Sequence, residues 1–254
     1  CRPTCADLVA GFDPSQLGLG LAAALVAGFV RGLSGFGLAL LLVPILALAV
    51  APGEAVVIGN WLGLFVGLVG LRKVTVAAER SARVIAGSAL LAIPLGVLAL
   101  GAVAPDIARL AIAAIAIAAF VAVLLPARSE RPPGRGETLA TGVASGLLTG
   151  FAAMPGPPVV PYYLRRPVDP AVARASMMLV FLVTQGAGVI VALALQVASW
   201  RGLAMAALLY PAVWLGNVLG GQAFGRVDAR AWRTIAGGVL GAAAAGAVWK
   251  LAAP

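Results

Sequence analysis

Apolar residues fill this chain in long blocks, separated by short polar or glycine-rich patches. The blocks run approximately Leu17–Val30, Leu38–Val50, Ala55–Leu71, Val84–Leu100 and Ile107–Leu125, then Leu139–Ala153, Pro157–Leu164, Ala175–Leu195, Leu203–Gln222 and Ala231–Leu251. They are continuously apolar and rich in Ala, Leu and Gly, without the alternating polarity of a barrel strand, so they predict helices. Two of the interruptions are glycine- or proline-rich: Gly28 to Gly37 and Gly146 to Pro158. Each splits a hydrophobic segment at a corresponding place in one half of the chain. Irregular backbone at membrane depth is tolerated only where protein or a wet cavity surrounds it, and broken segments at matching positions are a pointer to a transport site.

The order of blocks repeats. Leu33-Ser34-Gly35-Phe36 corresponds to Leu148-Thr149-Gly150-Phe151, and Val43-Pro44 to Val160-Pro161. The chain therefore divides into an extracytoplasmic leader (1–16), a first membrane repeat (17–125), a cytoplasmic linker (126–137) and a second repeat (138–254). Simple counting gives eight hydrophobic segments if each broken one crosses the membrane once. The basic loop residues then divide ten against seven, hardly a bias. If each broken segment is instead a re-entrant hairpin, one face collects Arg72, Lys73, Arg80, Arg83, Arg128, Arg131, Arg135, Arg165, Arg166, Arg174, Arg226, Arg230 and Arg233, and the other keeps Arg2, Arg109, Arg201 and Lys250. That asymmetry is a strong positive-inside signal. The arms of the broken segments, about 8–14 residues, also fall short of the roughly 20 needed for a crossing. An all-α polytopic fold follows, with two inverted repeats, each a broken, re-entrant hairpin plus three transmembrane helices, and both termini outside.

Composition agrees and narrows the chemistry. Of 254 residues, 62% are hydrophobic and 11% charged, about half the charged share of a soluble domain. The net charge of +9 lies in loops and reads as orientation, with no nucleic-acid signature. There is no His, and both cysteines, Cys1 and Cys5, lie in the leader, so neither imidazole nor thiolate serves inside the membrane. Every carboxylate (Asp7, Asp13, Glu54, Glu79, Asp106, Glu130, Glu137, Asp169, Asp228) sits in a loop or at a block edge. A side-chain proton relay, a divalent-cation path, an intramembrane protease and a metal-dependent transferase all lack their groups. No metal site, no cofactor and no enzyme activity are expected.

An anion remains. Arg31 is the one charge well inside an apolar stretch, at a cost of at least ~2.5–3.5 kcal/mol on insertion scales. Beside glycines it reads as an anion contact; the alternative is a brace that snorkels or clamps hairpin carbonyls. Helix N-termini restarting near Leu38 and Pro157 would add N–H donors. Ser34, Gly35, Phe36 and Gly37 in one patch, and Thr149, Gly150 and Gly156 in the other, complete the candidate site. Asn60 and Asn217, lone amides amid apolar residues, are further candidates, though each also suits an interhelical hydrogen bond.

The pattern Gly28-Phe-Val-Arg-Gly32-Leu-Ser-Gly35-Phe-Gly37 running into Val43-Pro44, with a counterpart in the second half, resembles the sulfite exporter TauE/SafE family. The resemblance covers essentially the whole chain. It implies a secondary transporter that moves small anions (sulfite, sulfonates or related organic anions) by alternating access across a bacterial inner membrane. Met154-Pro155-Gly156-Pro157-Pro158 replaces the glycine cluster of the family's second patch, which implies a stiffer, more asymmetric site. An anion channel and a non-transporting anchor subunit of a sulfur-metabolism complex are the rival readings. The expected partners are a small anionic substrate and the lipid bilayer, with a homodimer left open.

Overall fold

The computed structural model describes residues 14–69, 71–124, 133–166 and 168–223. Residues 1–13 of the leader, most of the linker and the last apolar block, Ala231–Leu251, lie outside the described residues. Among the described residues the chain forms ten α-helices: α1 (Pro14–Ser34), α2 (Leu38–Ala49), α3 (Pro52–Leu68), α4 (Leu71–Ala77), α5 (Arg80–Ala102), α6 (Pro105–Leu124), α7 (Arg135–Ala152), α8 (Gly156–Leu164), α9 (Pro170–Ala194) and α10 (Trp200–Ala223). Five of them, α1, α5, α6, α9 and α10, carry stretches long and apolar enough to cross a membrane. The protein is a multi-pass helical membrane protein. Leu91, Leu95 and Ile190 are exposed on its outside, as hydrocarbon-facing residues should be, while Leu41, Leu42, Ile58, Leu62 and Leu209 are fully buried in one core.

The breaks are shorter than the sequence pattern implies. Helix α1 continues through Arg31 and Gly32 to Ser34, giving 21 residues, and α7 has 18. The first arm of each broken segment is thus close to a full span, not a half-helix. Gly28 and Gly32 do not interrupt α1; they flatten one of its faces. The true interruptions are Gly35–Gly37, with φ of 84° at Gly35 and 99° at Gly37, and Ala153–Pro155, with φ of 55° at Ala153. Left-handed backbone is readily available to glycine and costly elsewhere, and it is here that the chain reverses. Leu46 of α2 comes back beside Gly20 of α1. In the second hairpin Ser145 Oγ donates to Pro155 O (3.1 Å), and Thr138 Oγ1 lies 3.0 Å from the Tyr162 hydroxyl.

Glycine also sets the helix pairing. A Cβ on Gly28 or Gly32 would collide with the backbone of Val213 or Asn217 on α10, and one on Gly216 or Gly220 with that of Leu25 or Phe29 on α1. The same happens between α7 and α5: Gly142, Gly146 and Gly150 press on Ile85, Ala89 and Ile93, and Gly96 on Leu147. In lipid there is no hydrophobic gain from helix association, so close backbone contact through small residues is what binds the pairs. Numbers rise together along both pairs, so each is parallel. Helices α3 and α9 instead cross antiparallel, with the Asn60 amide over Gly188 and the Gln185 amide over Gly63.

On the basic end, Arg166 Nη1 pairs with Glu79 Oε1 at 2.9 Å, and Ser176 Oγ accepts from Glu79 N–H at 2.9 Å. Asp169 caps α9 through Ala171 N–H, with Pro170 at its first position. Consequently Arg174, expected in a loop, lies on the second turn of a helix. Gly32→Val should separate α1 from α10 and lower the unfolding midpoint in detergent by the equivalent of ~1–3 kcal/mol or more. Gly18→Ala, with open space around it, should leave the midpoint unchanged or raise it slightly.

Candidate functional site

Both reversals open onto one cavity of about 40 Å³, room for roughly three water molecules. The first hairpin contributes Arg31, Phe36, Gly37 and the opening turn of α2; the second contributes Met154, Pro155, Gly156 and Pro157; Phe181 and Gln185 of α9 close it. Residues of the two patches, more than a hundred residues apart in sequence, line one cavity.

Arg31 is 4% exposed. Its Nη1 donates to Asn217 Oδ1 across the α1–α10 contact at 3.0 Å. A guanidinium has five N–H donors, and among the described residues no carboxylate lies within ion-pairing distance of this one. Arg174 reaches across from α9: its Nη2 donates to Gly32 O at 2.7 Å, at the C-terminal, electronegative end of α1. Its stem lies over Gly35, where an added Cβ would sit 2.8 Å from Arg174 Cγ. Two cations thus gather at the first break.

Helix α2 begins inside the cavity. Leu41 N–H finds Gly37 O at 3.2 Å, while the N–H groups of Leu38, Ala39 and Leu40 precede any intrahelical acceptor. Gly37 has no side chain with which to cap them. The start of α8 is poorer in donors because Pro157 and Pro158 carry no N–H. The donor field is therefore lopsided, toward the first hairpin.

The other candidates fall in different places. Ser34 closes its own turn, with Oγ 2.7 Å from Val30 O, 2.9 Å from Phe36 O and accepting from Phe36 N–H at 3.3 Å. Thr149 Oγ1 is fully buried and donates back to Ser145 O at 2.7 Å. Gly35 lies beneath Arg174, and Gly150 packs on α5. Asn60 lines a second cleft instead, and Asn217 meets the site only through Arg31. Phe36, Gly37 and Gly156 join Arg31 in the cavity wall. Sequence reasoning passed over Arg174 and Gln185 as site residues. The Asp169-Pro170 pair, a cap followed by proline at N1, was the available signal that Arg174 belongs to a helix.

A family model described as sulfite exporter TauE/SafE matches residues 20–247. The chain belongs to that family. Its members are membrane transporters and not enzymes. A curated relative from Cupriavidus necator, named as a probable sulfite/organosulfonate exporter TauE, is 30% identical over 125 residues. That alignment takes in 47% of this chain and 46% of the relative, so the match spans about half of either protein. No solved structure matches the chain.

Within this TauE/SafE member, the Arg31–Asn217 pair is open to a double-mutant cycle. Asn217→Leu alone should cost ~1–3 kcal/mol by leaving a buried charge without its acceptor. Asn217→Leu combined with Arg31→Met should cost less than the sum of the two single changes, by ~0.5–3 kcal/mol, as read from unfolding in detergent.

Proposed function

We propose that this protein is a secondary transporter of a small oxyanion, of the sulfite or organosulfonate type, held between the two hairpin tips. The observation that carries this reading is Arg31: a guanidinium nearly sealed from solvent, satisfied at one nitrogen by a neutral amide, lining a cavity that the first residues of α2 also line. A buried guanidinium with no carboxylate in ion-pairing distance among the described residues, beside a helix N-terminus, is a setting for a bound anion. In our reading Arg31 and the N–H groups of Leu38 to Leu40 are the anion's contacts, with Gly37 and Gly156 allowing its close approach. Asn217 and Arg174 position the first hairpin.

We further infer that the halves are inverted repeats. An offset of 118 residues relates Gly28 to Gly146, Phe29 to Leu147 and Gly32 to Gly150, and one of 124 relates Ala89 to Val213, Ile93 to Asn217 and Gly96 to Gly220. Those residues make the same contacts in both halves. The offset of 118 also carries the end of α1 onto the end of α7 and the start of α2 onto the start of α8. It differs by three residues from the pairing of Gly35 with Gly150 that sequence likeness favours; our equivalence follows the packing register rather than the motif. Antiparallel α3 and α9 agree with an in-plane two-fold axis, and with each hairpin entering and leaving on one face; single crossings would make α3 and α9 parallel. Under this equivalence Arg31 corresponds to Thr149, so the pseudo-symmetric site carries its charge on one side only. Rocking of one half about the other would give alternating access, in a bacterial inner membrane with the basic connectors inside.

Efflux of labelled sulfite, taurine and sulfoacetate from proteoliposomes at a clamped potential tests the reading. Saturable, potential-driven flux of sulfite or sulfoacetate is expected, since an inside-negative potential supplies about 2.3 kcal/mol per charge per 100 mV; taurine, a zwitterion without net charge, should not respond to the potential. Arg31→Gln should abolish that flux with membrane insertion intact. Undiminished flux in Arg31→Gln would remove the anion role from Arg31, and rates far above those of a carrier would point to a channel.

A further inference from the structure

A second cleft lies on the other side of the hairpin tips. It has a volume of about 260 Å³ and sits among the start of α3, the end of α5, the start of α6 and the latter half of α9. Ala51, Val103 and Val197, from three interhelical connections, rim it. These connections lack the basic residues of Arg165 and Arg166 at the opposite end of α9. Among its lining residues the one polar side chain is Asn60, which is 1% exposed and whose Oδ1 has no hydrogen-bond partner among the described residues.

A buried carbonyl left unmet costs ~1–3 kcal/mol, and an apolar cleft would shed such a group. Oδ1 is sealed from the cleft as the side chain stands, but the cleft is large enough for on the order of twenty waters, so a small rotation of the amide toward it would meet a donor. A carboxamide both donates and accepts. It suits a small oxyanion that travels with its hydration water or its own hydroxyl, where a carboxylate would repel that anion and a lysine would trap it.

The two cavities are nearly continuous. Gln185 lines the Arg31 cavity and Gly188 the second cleft, three residues apart, or about 4.5 Å along α9. On the second hairpin, Met154 faces one and Gly150 the other. Between them stands Ala153, fully buried, its methyl 3.1 Å from the place a side chain on Gly59 would begin, with Val43 Cγ2 of α2 at 2.6 Å from the same place. Gly59 immediately precedes Asn60. A methyl resting on a glycine can part without breaking any hydrogen bond.

We propose that the cleft beside Asn60 is the outward half of the anion's path, with Asn60 as its polar station and the Ala153–Gly59 contact as the gate between it and the Arg31 cavity. The proposal rests on the transporter reading, and its test is independent of flux and of the anion's identity. In a background with Cys1→Ser and Cys5→Ser, single cysteines are placed as Asn60→Cys, Val57→Cys or Gln185→Cys in sealed, oriented vesicles. They are then treated from the face bearing Val103 with an impermeant thiosulfonate, methanethiosulfonate ethylsulfonate. Asn60→Cys and Val57→Cys should react from that face, and Gln185→Cys should not. Adding Ala153→Gly, which deletes the gate's methyl and relaxes its left-handed backbone, should raise Gln185→Cys labelling from that face at least tenfold. Two results would overturn the proposal: folded protein in which neither Asn60→Cys nor Val57→Cys reacts from that face, or Gln185→Cys labelling that Ala153→Gly does not change. Failure of sulfite, taurine and sulfoacetate flux, with the labelling as predicted, would instead overturn the choice of anion and leave the path standing.

Discussion

Backbone against backbone is the contact on which this architecture depends. Between α1 and α10, and between α7 and α5, glycines on one helix admit the carbonyls of the other, and the reverse. No lipid-facing patch of leucine could substitute, because hydrocarbon solvates leucine as well as protein does. The glycine faces therefore hold each hairpin's long arm on a helix from the opposite half of the chain. The position of each reversal follows, and the two reversals meet. Remove that close approach and the hairpins lose the surface that aligns their tips.

Once the tips are aligned, burial of Arg31 acquires a chemical meaning. A guanidinium in this position is costly, and its neighbours reduce the cost only in part: Asn217 accepts from one nitrogen, while Arg174 nearby is of the same sign. An arriving oxyanion would supply the missing acceptors, so the anion's binding and the packing of the first hairpin act on the same group. The second hairpin answers with Thr149, Pro157 and Pro158 rather than with charge and free N–H groups. On the proposed equivalence of the two halves, the repeat would give the site its shape, and the differences between the halves would give it one strong contact that an anion could leave as well as enter.

Much of this was legible in the amino-acid pattern, and the reasons for the rest are physical. Long apolar blocks located α5, α6, α9 and α10 within a few residues, because a helix in lipid must be apolar along its length. Arg31 stood out because its cost is visible in sequence. The ends of α1 were misplaced because glycine breaks helices in water but packs them in membranes: Gly28 and Gly32 read as an interruption and serve as an interface. Ser34 and Thr149 looked like ligands, whereas hydroxyls in helices bond readily to a carbonyl one turn back, and Thr149 does so while Ser34 also closes its turn. The cavity itself was out of reach, since Gln185 and Phe181 join it through the crossing of α3 and α9. Even so, the spacing Asn60-x-x-Gly63 and Gln185-x-x-Gly188 was present in the chain, each amide lying over the other helix's glycine.

The central claim is that an oxyanion sits where the two hairpin tips meet. Anomalous diffraction from crystals of the protein grown with selenite, a heavier congener of sulfite, tests it most directly. The account predicts a selenium peak within hydrogen-bonding distance of the Arg31 guanidinium and of the N–H groups of Leu38 to Leu40, absent from Arg31→Gln crystals. A peak elsewhere, with the Arg31 cavity empty, would contradict it.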